Sequence, residues 1–191
     1  MAMYIAIIGS LRLERVTIPH HARDDPSTRL AFVNIPPHHD RACWGCGDNP
    51  GGIRLPQPSA EGVTDYSATF RFDERHQGGP GIVHGGLVSA ALDEACGLLA
   101  TWHRFPSVTA RIFVRYRRAV HINTDLDVHA WVAGTRGRRT HIDAELRGAR
   151  EILAQARGAF LHVPLAHFLQ TPEGRAAGEA WRERLERGSR S

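Results

Sequence analysis

The stretch from Gly86 to about His103 constrains this chain more than any other. Leu87, Val88, Ala90, Ala91, Leu92, Ala95, Cys96, Leu98, Leu99, Ala100 and Trp102 leave little polar surface on it. Such a run, free of proline, reads as a helix, and a helix apolar almost all round has to be buried by the rest of the molecule. The covering is written in segments of period two. Tyr66 to Phe72 sets Tyr66, Ala68, Phe70 and Phe72 against Ser67, Thr69 and Arg71, the pattern of a half-buried strand. Beyond the helix, Thr109 to Ile122, Asp125 to Ala133, Thr140 to Leu146 and Ile152 to Val163 alternate in the same way, with turn residues at Gly134 to Gly137 and at Gly148. The expected architecture is α+β: an antiparallel meander wrapped around one long central helix.

The flanks read differently. Met1 to Gly9 is apolar and suits a short strand, but has neither a basic lead-in nor a small-residue cleavage site, and Ser10 to about Pro37 follows neither hydrophobic period. Cys43 to Gly52 is dense in turn residues and reads as a compact loop. Near the end Thr171 can cap a helix with Pro172 in its first position, and Ala177, Trp181 and Leu185 recur along it to about Arg187. The expected organisation is an irregular leader (1–40), one domain (41–165), and a C-terminal amphipathic helix and tail (166–191).

Composition narrows the setting. With 24 Lys plus Arg against 20 Asp plus Glu, the net charge is +4, which suits a phosphate-bearing ligand or an ordinary solvated surface and does not argue for nucleic acid. No apolar run approaches the roughly 20 residues of a membrane span. Cys43, Cys46 and Cys96 form no disulfide framework, so a cytoplasmic protein is expected.

Chemistry concentrates where the glycine-rich segment His76-Gln77-Gly78-Gly79-Pro80-Gly81-Ile82-Val83-His84-Gly85-Gly86 runs into the helix. The unpaired N–H groups of a helix start favour developing negative charge on an oxygen, with Gly85 and Gly86 as donors. Asp93 and Glu94 are the only acids in the helix, and an enclosed carboxylate is expensive unless it is used. Adjacent helix positions diverge by about 100°, so the two acids face different ways, and Asp93 lies on roughly the same side as Gly85. A carboxylate acting on a carbonyl whose oxygen rests on glycine N–H groups describes acyl transfer.

The glycine-rich segment has a family counterpart: Gly-Pro-Gly-Ile-Val-His-Gly-Gly followed by Leu92-Asp93-Glu94-Ala95 closely resembles the signature of the hotdog-fold thioesterase superfamily, in its PaaI-like and 4-hydroxybenzoyl-CoA thioesterase-like branch. Cys43-Trp44-Gly45-Cys46-Gly47, Val108-Thr109-Ala110 and Val114-Arg115-Tyr116-Arg117-Arg118 extend the resemblance over roughly Cys43 to Val163. It departs at Ala119, where many relatives have proline, and at Gln77-Gly78-Gly79 before Pro80. The resemblance implies a hotdog fold and hydrolysis of an acyl-CoA or acyl-carrier thioester, with Asp93 as the catalytic carboxylate, the Gly85 N–H polarising the carbonyl, His84 lining the site, and Thr109 helping to hold water. Gly86, Val83, Gln77, Glu94, Arg117 and Arg118 are the candidate substrate-binding residues. It further implies a homodimer or dimer of dimers with the active site between subunits, and no cofactor beyond the coenzyme A of the substrate.

Other readings stand beside these. Asp93 and Glu94 also suit structural pairing, and His84 also suits a loop-holding role. Cys43 and Cys46 have metal-ligand spacing with His38 and His39 nearby, but no four-ligand pattern follows, so no metal is expected. Ser89 lacks the Gly-x-Ser-x-Gly turn of a nucleophile. Alternatives to the hydrolase are a hotdog enzyme that dehydrates, decarboxylates or otherwise processes a carrier-bound acyl chain, and a non-catalytic acyl-CoA-binding module.

Overall fold

A computed structural model describes residues 43–58 and 64–188; the expected strand at Met1 to Gly9, the leader, and His38 and His39 lie outside these. The elements are β1 (Asp65–Arg71), β2 (Gln77–Gly79), β3 (Ile82–Val83), α1 (Gly85–His103), β4 (Ser107–Tyr116), β5 (Asp125–Arg136), β6 (Arg139–Gly148), β7 (Glu151–His162) and α2 (Pro172–Gly188). A five-stranded antiparallel sheet in the order β1-β5-β6-β7-β4 curls against α1, and β2 and β3 form a small separate hairpin.

Alternation drives the packing. In β1, Tyr66, Ala68 and Phe70 turn inward and their neighbours outward. From β5 and β6, Leu126, Val128, Ala130, Ile142, Ala144 and Leu146 close on Val88, Ala91, Leu92, Ala95, Cys96 and Leu99 of α1. Each fully buried Val, Leu or Ile among these contributes about 1.5–3 kcal/mol, which outweighs the modest helix propensity of a segment carrying Gly97.

Three expectations are corrected. The strands after the helix are not one sequential meander: β5, β6 and β7 are, but β4 pairs with β7 while β5 takes β1 as its outer neighbour. β4 stops at Tyr116 rather than Ile122, because the chain leaves the sheet to meet the glycine-rich segment. There Val83 N–H donates to Val120 O, Ile122 N–H donates to Gly81 O, and Ile82 bridges His121. Finally, α1 is not enclosed all round: Ser89, Ala90, Asp93 and Gly97 are only half-buried, so its own sheet leaves one face of small residues and Asp93 uncovered.

The C-terminal helix begins as its sequence implies. Thr171 Oγ1 accepts the Gly174 N–H at 3.0 Å and Pro172 holds the first position, where a missing N–H costs nothing. Trp181 is buried between Phe105 and Phe168, meeting each edge to face with ring centroids 5.6 Å apart, and so ties α2 to the end of α1. Ala177 is half-buried on the same side, and the surroundings of the Leu185 side chain lie outside the described residues.

Candidate active site

The glycine-rich segment is held in shape before it reaches the helix. Asp73 and His76 form a reciprocal cap, in which Asp73 accepts the Arg75 N–H and His76 Nδ1 accepts the Asp73 N–H. His76 is buried against Phe72, and its carbonyl accepts the His84 N–H at 2.9 Å. At the loop tip Gly81 adopts φ +73, a conformation that side chains disfavour, and Gln77 Oε1 accepts its N–H at 2.5 Å. Gln77, an expected substrate contact, therefore spends its amide oxygen bracing the turn.

His84 is the N-cap of α1. Its Nδ1 accepts the Gly86 N–H at 3.0 Å, which requires the ring proton on Nε2, and its carbonyl takes the N–H groups of Leu87 and Val88. This corrects one expectation: Gly86 is not an oxyanion donor, because its N–H is already directed at the imidazole. Of the orphan donors at this helix start, the Gly85 N–H is the one the cap does not use.

Asp93 sits half-buried on the uncovered face of α1, where Thr109 Oγ1 of β4 donates to its Oδ1 at 3.0 Å. Burial pushes the Asp93 carboxyl above the ordinary carboxylate value and the Thr109 bond pulls it partly back. A carboxylate raised in this way is a better proton acceptor near neutrality than a solvated one. Gly85 and Asp93 are not neighbours, however: eight residues at 1.5 Å rise put them about 12 Å apart along the helix. One carbonyl cannot rest on Gly85 and meet Asp93 of the same chain.

Two cavities flank these groups. A cleft of about 390 Å³ beside the helix start is lined by Val83, Gly85, Tyr116, Arg117, Arg118 and their neighbours. Arg117 holds Gln155 Oε1 through Nε and Nη2 at 3.0 and 2.8 Å, and Arg118 pairs with Glu151 at 2.9 Å, both at the exposed rim. A smaller pocket of about 160 Å³ lies beside the middle of α1, lined by Thr109, Gly97 and Glu94 and closed by Phe105, Phe168 and Trp181. Glu94 diverges from Asp93 as helix geometry requires and packs on the Cys43–Gly47 loop.

Two residues of this region escaped the sequence reading. His76 anchors the loop, and the signal available for it was the Asp73-x-x-His76 spacing of a capping box. Tyr116 donates its hydroxyl to Gly85 O at 2.8 Å and also meets Ser89 Oγ, tying β4 to the start of α1. Nothing in the alternation of β4 marks Tyr116 for that contact.

Comparison with known proteins bears on the fold. Residues 80–154 match the Thioesterase superfamily model. No curated protein matches the chain significantly. A zebrafish thioesterase superfamily member 2 structure superposes with a TM-score of 0.53 at 19% identity, over 61% of this chain and 89% of that one. A Streptococcus mutans protein bound to acetyl CoA gives 0.52 at 15% identity, over 56% and 87%. The chain spans about half the length, 49%, of another thioesterase superfamily protein, with 51% of its own residues covered, 25% identity and a TM-score of 0.49. The glycine turn, the central helix and the strands that follow are thus the part of the chain that matches the Thioesterase superfamily model, and its antiparallel sheet packed on one long helix is the hotdog architecture.

Proposed function

We propose that the chain hydrolyses an acyl thioester of coenzyme A or of a carrier, with Asp93 as general base or nucleophile and the Gly85 N–H of a second copy as the oxyanion donor. The observation that carries this reading is the Asp93–Thr109 pair: a half-buried carboxyl, raised by burial and oriented by a hydroxyl, on the one face of α1 that its own sheet leaves open. The separation of about 12 Å between Gly85 and Asp93 within a chain supports a site shared between two copies, so that a homodimer is the working unit. The face bearing Asp93 and the edge strand β4 then form the contact.

In this scheme the thioester carbonyl lies on the Gly85 N–H, and Arg117 and Arg118 at the rim of the larger cleft offer charge to the phosphates of coenzyme A. Asp93 takes a proton from water as its oxygen attacks the carbonyl carbon, the C–S bond breaks, and the thiol leaves with that proton. The acyl group extends toward the pocket closed by Trp181. The acetyl CoA held by the Streptococcus mutans neighbour supports a coenzyme A ester as substrate. At about 160 Å³ the pocket is comparable to cavities that admit a single benzene ring, which favours short or aryl acyl groups.

The test is thiol release from short, medium, long and aryl acyl-CoA substrates by wild type and Asp93→Asn. Turnover should fall by about 10²–10⁴-fold in the variant. Equal rates would remove Asp93 from the chemistry, and no turnover on any ester would favour a binding module.

A further inference from the structure

The loop at Cys43–Gly47 has no part in that chemistry and the acid next to Asp93 only lines the smaller pocket, yet the two converge. Cys43 and Cys46 are spaced as in a metal-binding knuckle, with the turn between them closed by the Gly47 N–H on Cys43 O at 2.9 Å. Ile53 N–H on Trp44 O at 3.1 Å and Leu55 N–H on Gly45 O at 3.2 Å fix the loop to the segment that follows. From α1, 48 residues further along the chain than Cys46, Glu94 reaches into it. The sulfur atoms of Cys43 and Cys46 and a carboxylate oxygen of Glu94 all lie within 4.8 Å of one another. Gly45 makes the approach feasible: a Cβ there would stand 2.0 Å from Glu94 Oε2, so any other residue would expel the carboxylate.

We propose that Cys43, Cys46 and Glu94 form a zinc site that clamps this loop to the central helix. Zinc takes thiolate at about 2.3 Å and carboxylate at about 2.0–2.2 Å in a tetrahedron, so its ligand atoms stand about 3.3–3.8 Å apart. Binding would draw together the three ligand atoms, which lie within 4.8 Å of one another. Two sulfur ligands select zinc over the hard magnesium and calcium ions. Loading releases the two thiol protons, leaving two thiolates and one carboxylate around a divalent ion. Cys46 is buried while Cys43 and Glu94 are half-buried, so the fourth position opens toward solvent and takes water. The role is structural: the ion joins a loop with little secondary structure to the helix that carries Asp93.

The test uses the full chain, purified under reducing conditions, incubated with zinc chloride and freed of unbound ion by gel filtration. Elemental analysis should find close to one zinc per chain in the wild type, and at least a tenfold loss of retained zinc in Glu94→Gln and in a Cys43→Ser, Cys46→Ser double variant. Circular dichroism checks that each variant is folded, and Glu94→Gln keeps the shape of the side chain. Cobalt loading should give thiolate-to-cobalt charge-transfer absorption in the wild type and none in the double variant. Added zinc should raise the melting temperature of the wild type alone. A wild type that retains less than a tenth of an equivalent would overturn the proposal, as would equal retention by folded variants, which would put the ion on some of the chain's 12 histidines.

Discussion

At Asp93 two opposed effects meet, and their difference sets what the residue can do. Burial favours the neutral acid, the Thr109 hydrogen bond favours the carboxylate, and burial is the larger. Because the folded-state value is raised, the stability contributed by Asp93 is present below its unfolded value and is lost as pH rises through the folded one. Asp93→Asn keeps an oxygen for the Thr109 hydroxyl and removes the charge, so at neutral pH its melting temperature should equal or exceed that of wild type while turnover collapses. A purely structural acid would give the reverse, a lower melting temperature. Thr109→Val removes only the bond that stabilises the carboxylate. The acid limb of its kcat/KM profile should move to higher pH, and an unmoved limb would show that Thr109 does not act on the reacting carboxyl. Asp93 was legible as an acid in an apolar helix. Its bond to Thr109 was not, because it joins residues 16 positions apart whose meeting depends on how β4 lies against α1.

Among the elements, α2 shows how an appendage outside the matched residues 80–154 can shape a site. Its Trp181 closes the smaller pocket with Phe105 and Phe168. Trp181→Ala should open that pocket and shift the preference toward longer acyl groups, at a cost of about 3–5 kcal/mol in stability, read as acyl-chain profile and melting temperature together. An unchanged profile in a folded variant would separate α2 from substrate choice. The helix itself was legible in Thr171, Pro172 and the recurrence of Ala177 and Trp181, since capping and periodicity are local. Which surface Trp181 covers was not, because its aromatic partners come from the loop after α1 and the turn after β7. The same distinction explains β4: alternation continues past Tyr116 in sequence, but Arg117 and Arg118 converge on the single carbonyl of Leu153 in β7, and the backbone of 120–122 is claimed by the glycine-rich segment.

For the whole molecule the central question is what covers the open face of α1 and the free edge of β4. Phe113 and Tyr116 are exposed large side chains on that edge strand, at 63% and 51%, which is the kind of surface that pairs with another copy. Phe113→Lys places a charge on the edge and should shift the sedimentation profile from dimer to monomer, with turnover falling in parallel. Full activity in a monomer would rule out a shared site. By itself the sequence determined the elements and their chemistry: one long apolar helix, alternating strands, a glycine turn at the helix start, and an acid two turns inside it. Those properties follow from periodicity, backbone freedom and the cost of burying charge, all of which act over a few residues. Only the tertiary structure decided that β4 lies beside β7, that Thr109 meets Asp93, and that Glu94 meets Cys43 and Cys46. Each of these is a distance or direction in space, fixed by how the sheet closes on the helix.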